Sequence, residues 1–140
     1  MIQIGADLIA TLSAATYTVS GVTVKDFYSV SSIVCPQLTL DELPGNDGIY
    51  LDNQPVIVHN VFTMEAYAKN MMVSGKPVTK KAAAMLMITE ADKVLNEQFG
   101  LTMQGEITIA PYTDSTISRA VARYIAYIDT RNNTILRGII

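Results

Sequence analysis

The thirteen residues Val56 to Ala68 (VIVHNVFTMEAYA) constrain this chain more than any other stretch. The even positions Val56, Val58, Phe62, Met64, Ala66 and Ala68 are apolar, with Asn60 the exception, while the odd positions carry His59, Thr63, Glu65 and then Lys69. A period of two is the side-chain repeat of a β-strand, so the pattern predicts a strand with one face turned to a core. The odd side also holds Ile57, Val61 and Tyr67, which makes it only half polar and open to cover by a loop or another subunit. The even face needs an apolar layer over it. That layer comes next in the chain: in Thr79 to Phe99, Ala84, Met87, Ile88, Ala91, Val94 and Leu95 recur at three- and four-residue steps, the stripe of a long helix. Pro77 lies just upstream and Gly100 just beyond, so both ends have a physical cause.

The remaining elements follow from shorter patterns. Ala6 to Ala15 places Leu8, Ile9 and Leu12 at helical spacing with Asp7 in the first turn, predicting a short helix. Val22 to Leu43 is rich in β-branched and aromatic residues and predicts two strands separated by a turn or bend. Pro44 to Asn53 (PGNDGIYLDN) concentrates turn-forming residues and predicts an exposed loop. Met103 to Ala110 is expected to be a strand, Pro111 to Ser115 a loop, and Ile117 to Ile128 a strand with Arg119, Arg123 and Tyr127 on one side. Arg131 to Thr134 (RNNT) offers a hairpin turn. The resulting order is α-β-β-β-α-β-β-β. It predicts an α+β fold in one domain spanning residues 1–140, a mostly antiparallel sheet with one long and one short helix on one face.

Composition bounds the function. Of 140 residues, 49% are hydrophobic and 16% charged, and mean hydropathy is +0.26, so much of the surface must be weakly polar and suited to contact with other protein chains. Lys plus Arg at 10 against Asp plus Glu at 13 gives a net charge of -3, which disfavours a sequence-independent grip on nucleic acid. No apolar run is long enough for a membrane span, and the opening residues do not resemble an export signal. One cysteine and one histidine cannot build a zinc site, and a reducing compartment fits a lone thiol.

No motif carries chemistry. His59 has no Ser, Cys or second carboxylate at a telling spacing, and Cys35 has no cationic surroundings. Asp41, Glu42, Asp47 and Asp52 lack the spacing of a calcium loop, and Gly45 to Gly48 lacks the residues of a phosphate cradle. No catalytic, cofactor or metal site is therefore expected. Lys76, Lys80 and Lys81 gather at the start of the long helix, where the backbone dipole opposes positive charge, and are candidates to meet the acidic stretch Asp41 to Asp52 of another copy. Exposure and charge nominate Asp41, Glu42, Asn46, Asp47, Tyr50, Asp52, Lys76, Lys80, Lys81, Arg119 and Arg123 as interface residues, with the loop Pro44 to Asn53 first among them.

The succession PQLTLDELPGNDGIY, QPVIVHNVFTMEAYAKN, VTKKAAAMLMITEADKVLNEQFGLT and ISRAVARYIAYIDTRNNTILRG resembles the tail-terminator, or tail-completion, proteins of long-tailed bacteriophages over nearly the whole chain. The resemblance implies a non-enzymatic virion protein that forms a hexameric ring at the head-proximal end of the tail tube. It ends tube polymerisation and presents a surface for head joining. The implied partners are sister subunits, the tail tube protein and the head-tail connector or stopper protein, with DNA only as passing cargo and no membrane. Under this expectation Arg119 and Arg123 line the channel, bridge subunits or simply project from the sheet. Three alternatives stay open: a neck or head-completion protein on the portal side, a small hydrolase or isomerase using His59 with Glu65 or Asp41, and a ligand-binding or regulatory dimer with the half-apolar strand face as its two-fold interface.

Overall fold

A computed structural model describes residues 4–27, 32–51, 54–132 and 134–136. The elements are α1 (Ile4–Ala14), β1 (Thr23–Asp26), β2 (Gln37–Leu51), β3 (Gln54–Ala68), β4 (Met71–Val73), β5 (Lys76–Val78), α2 (Lys80–Phe99), β6 (Thr108–Ala110), β7 (Ser118–Asp129) and β8 (Thr134–Ile135). The main sheet runs β1-β2-β3-β7-β6, with β8 also on β7; every pairing is antiparallel except the parallel β1 to β2. The protein is an α+β fold with two helices on one face of a mostly antiparallel sheet.

The period-two strand and the long helix behave as their patterns require. Phe62, Met64, Ala66 and Ala68 on β3 are fully buried, as are Ala120, Tyr124 and Ile128 on β7, and both rows pack under Ala84, Met87, Ile88, Ala91 and Leu95 of α2. Leu8 and Leu12 of α1 join the same core. The start of α2 is capped by the Thr79 hydroxyl, which accepts the Ala82 N–H at 3.2 Å. Gly100 ends the helix in the left-handed region (φ 69°), and its N–H donates to the Asn96 carbonyl at 2.9 Å. Among the described residues, no helix is long and apolar enough to cross a membrane.

Three expectations need correction. The stretch from Pro44 is not a loop: β2 continues to Leu51, and only Asp52 and Asn53, at the end of that expected loop, lie outside the described residues. Pairing with β3 overrides the turn-forming composition, whose Pro and Gly residues collect at a bulge where the register shifts between Pro44 and Gly48. Proline is tolerated there because β1 pairs only with residues 37–40, which leaves the outer edge of β2 beyond Leu40 without a strand partner among the described residues. The strand expected over Met103 to Ala110 shrinks to Thr108–Ala110, since Gly105 turns the chain at φ 74° and Met103 makes only an isolated bridge to Tyr124. Finally, the order gains an unforeseen hairpin, β4–β5, closed by Ser74 (φ 51°) and Gly75 (φ 79°), two successive positive-φ residues that suit a tight hairpin turn.

Candidate functional site

The face of the sheet turned away from both helices is the most distinctive surface, and its residues follow from the register. Three rows cross β2, β3 and β7 in turn: Gln37–Tyr67–Arg119, Thr39–Glu65–Val121 and Asp41–Thr63–Arg123. A fourth row, Leu43–Val61–Ile125, is apolar, and beyond it the His59 and Tyr127 rings lie 6.1 Å apart. Three successive rows with polar members are thus followed by a single apolar row along the face.

The two ends of the face differ. At the Gln37 end, Tyr112 from the segment after β6 packs edge-on against Tyr67 (centroids 5.4 Å apart, 69° between planes), and Gln37, Thr39 and Tyr67 are all buried. The odd side of β3 is therefore covered by a loop at this end, one of the two covers its composition allows. The Tyr67 hydroxyl donates to Glu65 Oε2, and Arg119 Nη1 lies 3.7 Å from Glu65 Oε1. Burial, followed by the Glu65 carboxylate beside it, pushes the Tyr67 phenol well above its ordinary pKa, so it stays a neutral donor. At the other end no described residue covers the face: Leu43 is 51% exposed and Arg123 is exposed.

This face also holds the fold's unsatisfied polar atoms. Gln37 Oε1, Thr39 Oγ1, Asp41 Oδ1 and Arg119 Nε are each buried without a hydrogen-bond partner among the described residues, and all four belong to its rows. Buried polar atoms are normally paired, so their concentration on one surface sets it apart from the helix-covered side.

The candidate interface residues divide into those the fold uses internally and those it leaves outward. Glu42 points under the helices: its Oε1 accepts the Gly5 N–H at 3.2 Å and its Oε2 accepts from Asn60 Nδ2 at 2.6 Å, so it anchors the first turn of α1. The Lys80 ammonium donates to the Ser115 carbonyl, and its backbone N–H to Asn70 Oδ1 at 2.8 Å, which ties the start of α2 to two loops. Expected as contacts to another copy, both residues are engaged within the chain. Arg119 is committed to Glu65, whereas Arg123, Lys76 and Lys81 are exposed and Asp41 is half-buried with its Oδ1 covered and unpartnered among the described residues. Asn46, Asp47 and Tyr50 are carried by β2; their side chains and the whole of Asp52 lie outside the described residues.

Other chemistry is dispersed. His59 sits six residues along β3 from Glu65, about 20 Å at the strand rise, and four from Thr63, the cross-strand neighbour of Asp41, about 13 Å. The pairings that a His59-based hydrolase needs are not brought together. Cys35 is half-buried and desolvation pushes its thiol pKa up, the opposite of an activated nucleophile. Among the described residues, no three His, Cys, Asp or Glu side chains gather at a spacing that could hold a metal ion. A cleft of about 380 Å³ between α1, β1 and β2 is lined by Gly5, Ile9, Asp26, Leu40 and Glu42, but its best-placed carboxylate, Glu42, is already bonded to Gly5 and Asn60. The sequence did not single out the row Leu43–Val61–Ile125 or the group Glu65–Tyr67–Tyr112–Arg119. Alternation put their β3 and β7 members on the outer side of each strand, but only cross-strand register joins them. No family model matches the chain, and no curated protein matches it.

Proposed function

We propose that this chain is a structural subunit of a long-tailed phage particle, a tail terminator that closes into a six-membered ring on the head-proximal end of the tail tube. On this reading it has no catalytic role and needs no cofactor or metal. Its partners are its own copies, the tube protein and the connector or stopper protein, and DNA passes through the ring as cargo.

The observation that carries the reading is the pair of open sheet edges. β6, three residues long, ends the sheet on one side, and on the other β2 from Asp41 to Leu51 extends past the short β1 with its outer edge unpaired among the described residues. An unpaired edge is a template for pairing with another chain, and two different edges on one subunit give a head-to-tail contact that closes into a ring when the rotation fits. The long β2–β3 pair supports it further, since β3 residues 54–56 run beyond the last pairing of β3 with β7, at Ile57 and Asp129, and β2 and β3 alone carry that end of the sheet. A net charge of -3 suits a channel that must let duplex DNA slide without holding it.

The test is a particle assembled without this protein. Tubes of uncontrolled length that fail to join heads are expected; tails of normal length joined to heads would reject the reading.

A further inference from the structure

We infer that the free chain pairs with a second copy through the open end of its helix-free sheet face, about a two-fold axis running along β3. The inference concerns the unassembled protein and does not rest on the ring reading.

It starts from one register row. Asp41 on β2, Thr63 on β3 and Arg123 on β7 lie side by side, so the carboxylate and the guanidinium sit two strands apart, about 10 Å. Neither is satisfied at home: among the described residues, half-buried Asp41 keeps its Oδ1 buried without a hydrogen-bond partner, and exposed Arg123 meets no carboxylate. The next row, Leu43–Val61–Ile125, is apolar, with Leu43 51% exposed.

Two sheets packed face to face can be related by a two-fold axis along the strands or across them. An axis across the strands through this row sets Asp41 against Asp41 and Arg123 against Arg123. An axis along β3 exchanges β2 for β7, so each Asp41 faces the Arg123 of the other copy, each Leu43 faces Ile125, and Val61 meets its own counterpart on the axis. Packed sheets lie about 10 Å apart, a gap that an arginine and an aspartate together can span. The charge pattern therefore selects the axis along β3, and the two rows become self-complementary. The Gln37 end takes no part, being already covered by Tyr112. The contact is small, which makes the expected pairing weak, with dissociation constants on the order of 10–100 µM.

Sedimentation equilibrium of the full-length chain, from about 10 µM to 1 mM in low salt, tests this. A mass of two chains is expected at the upper end, with Arg123→Glu weakening the association at least about tenfold and Asp41→Lys/Arg123→Glu in one chain restoring it. Cross-linking gives a second readout that does not depend on the charge variants folding. In a Cys35→Ser background, a bismaleimide of about 10 Å reach should join Val61→Cys to itself, as only an on-axis residue allows, and should not join Lys93→Cys on the outer face of α2. A single-chain mass at every concentration, a stable mass other than two, an unaffected Arg123→Glu protein, or no selective Val61→Cys cross-link would each overturn the pairing. None of these results bears on whether tails lacking the protein have normal length, so the two proposals fail separately.

Discussion

Replacing Glu42 by Ala should loosen α1 from the sheet by an amount the geometry sets. The carboxylate holds two donors, the Gly5 N–H at 3.2 Å and Asn60 Nδ2 at 2.6 Å. Asn60 is only 8% exposed, so losing its acceptor leaves a buried amide unsatisfied, at about 1–3 kcal/mol. Gly5 lies in the first turn of α1, where N–H groups have no partner within the helix, and losing a side-chain cap there costs about 0.5–2 kcal/mol. The sum is roughly 1.5–5 kcal/mol, and for a chain of this length the melting temperature should fall by roughly 5–20 °C. Thermal and urea unfolding of Glu42→Ala, Asn60→Ala and the double variant measure it, and the double variant should cost about 1–2 kcal/mol less than the sum of the singles. Gly5→Ala adds a sign test. A Cβ at Gly5 would stand 2.5 Å from Glu42 Oε1, so the substitution should destabilise the natural chain, yet stabilise the Glu42→Ala protein by roughly 0.5–1 kcal/mol through better helix propensity. Additive costs within about 0.5 kcal/mol, or the same sign for Gly5→Ala in both backgrounds, would refute the anchoring role.

Three further outcomes are expected. Leu8→Ala, at a fully buried position of α1, should cost about 2–5 kcal/mol in the same unfolding assays; a cost below 1 kcal/mol would mean that α1 does not seal the core. Burial, and to a smaller degree Glu90, pushes the Tyr17 phenol up to about 12, and burial with a carboxylate neighbour raises Tyr67 and Tyr124 further. Since these phenols ionise more easily in the unfolded chain, their contribution is complete below about pH 10 and is lost as pH rises beyond it. Absorbance titration near 295 nm should find these three of the seven tyrosines un-ionised until the protein unfolds, and seven equivalent tyrosines in the folded state would contradict the packing. Hydrogen bonds from the Arg131 side chain and backbone hold the Asp129 carboxyl below the usual aspartate range, so its contribution is present above about pH 4 and lost as pH falls further. Asp129→Asn should flatten that part of the acid stability profile, and an unchanged profile would count against the pairing.

The sequence disclosed the parts of the fold whose periodicity extends over many residues. β3, β7 and α2 each repeat their apolar positions often enough for one face to be unambiguous, and Pro77 and Gly100 bracket α2 by local chemistry, although the sequence did not single out the Thr79 cap. The distal half of β2 was hidden because Pro44, Gly45, Asn46, Asp47 and Gly48 have turn-forming side chains, whereas its conformation is decided by backbone pairing with the following strand β3, which those side chains do not signal. The three-residue strands of β4–β5 are too short to show a period, and the parallel direction of β1 beside β2 has no local signature. The candidate surface was legible by charge only in part. Composition cannot tell an outward lysine such as Lys81 from Lys80, whose ammonium reaches the Ser115 carbonyl, nor Asp41 from Glu42, which strand alternation sends to opposite sides of the sheet. Register alone brings Asp41, Thr63 and Arg123 into one row.

The most direct test of the structural role adds the purified chain to tail tubes while they are still growing and follows their lengths by electron microscopy. The account predicts that elongation stops and that one end of each tube acquires a ring of six copies. Tubes that keep lengthening in excess protein, with nothing bound at their ends, would contradict it.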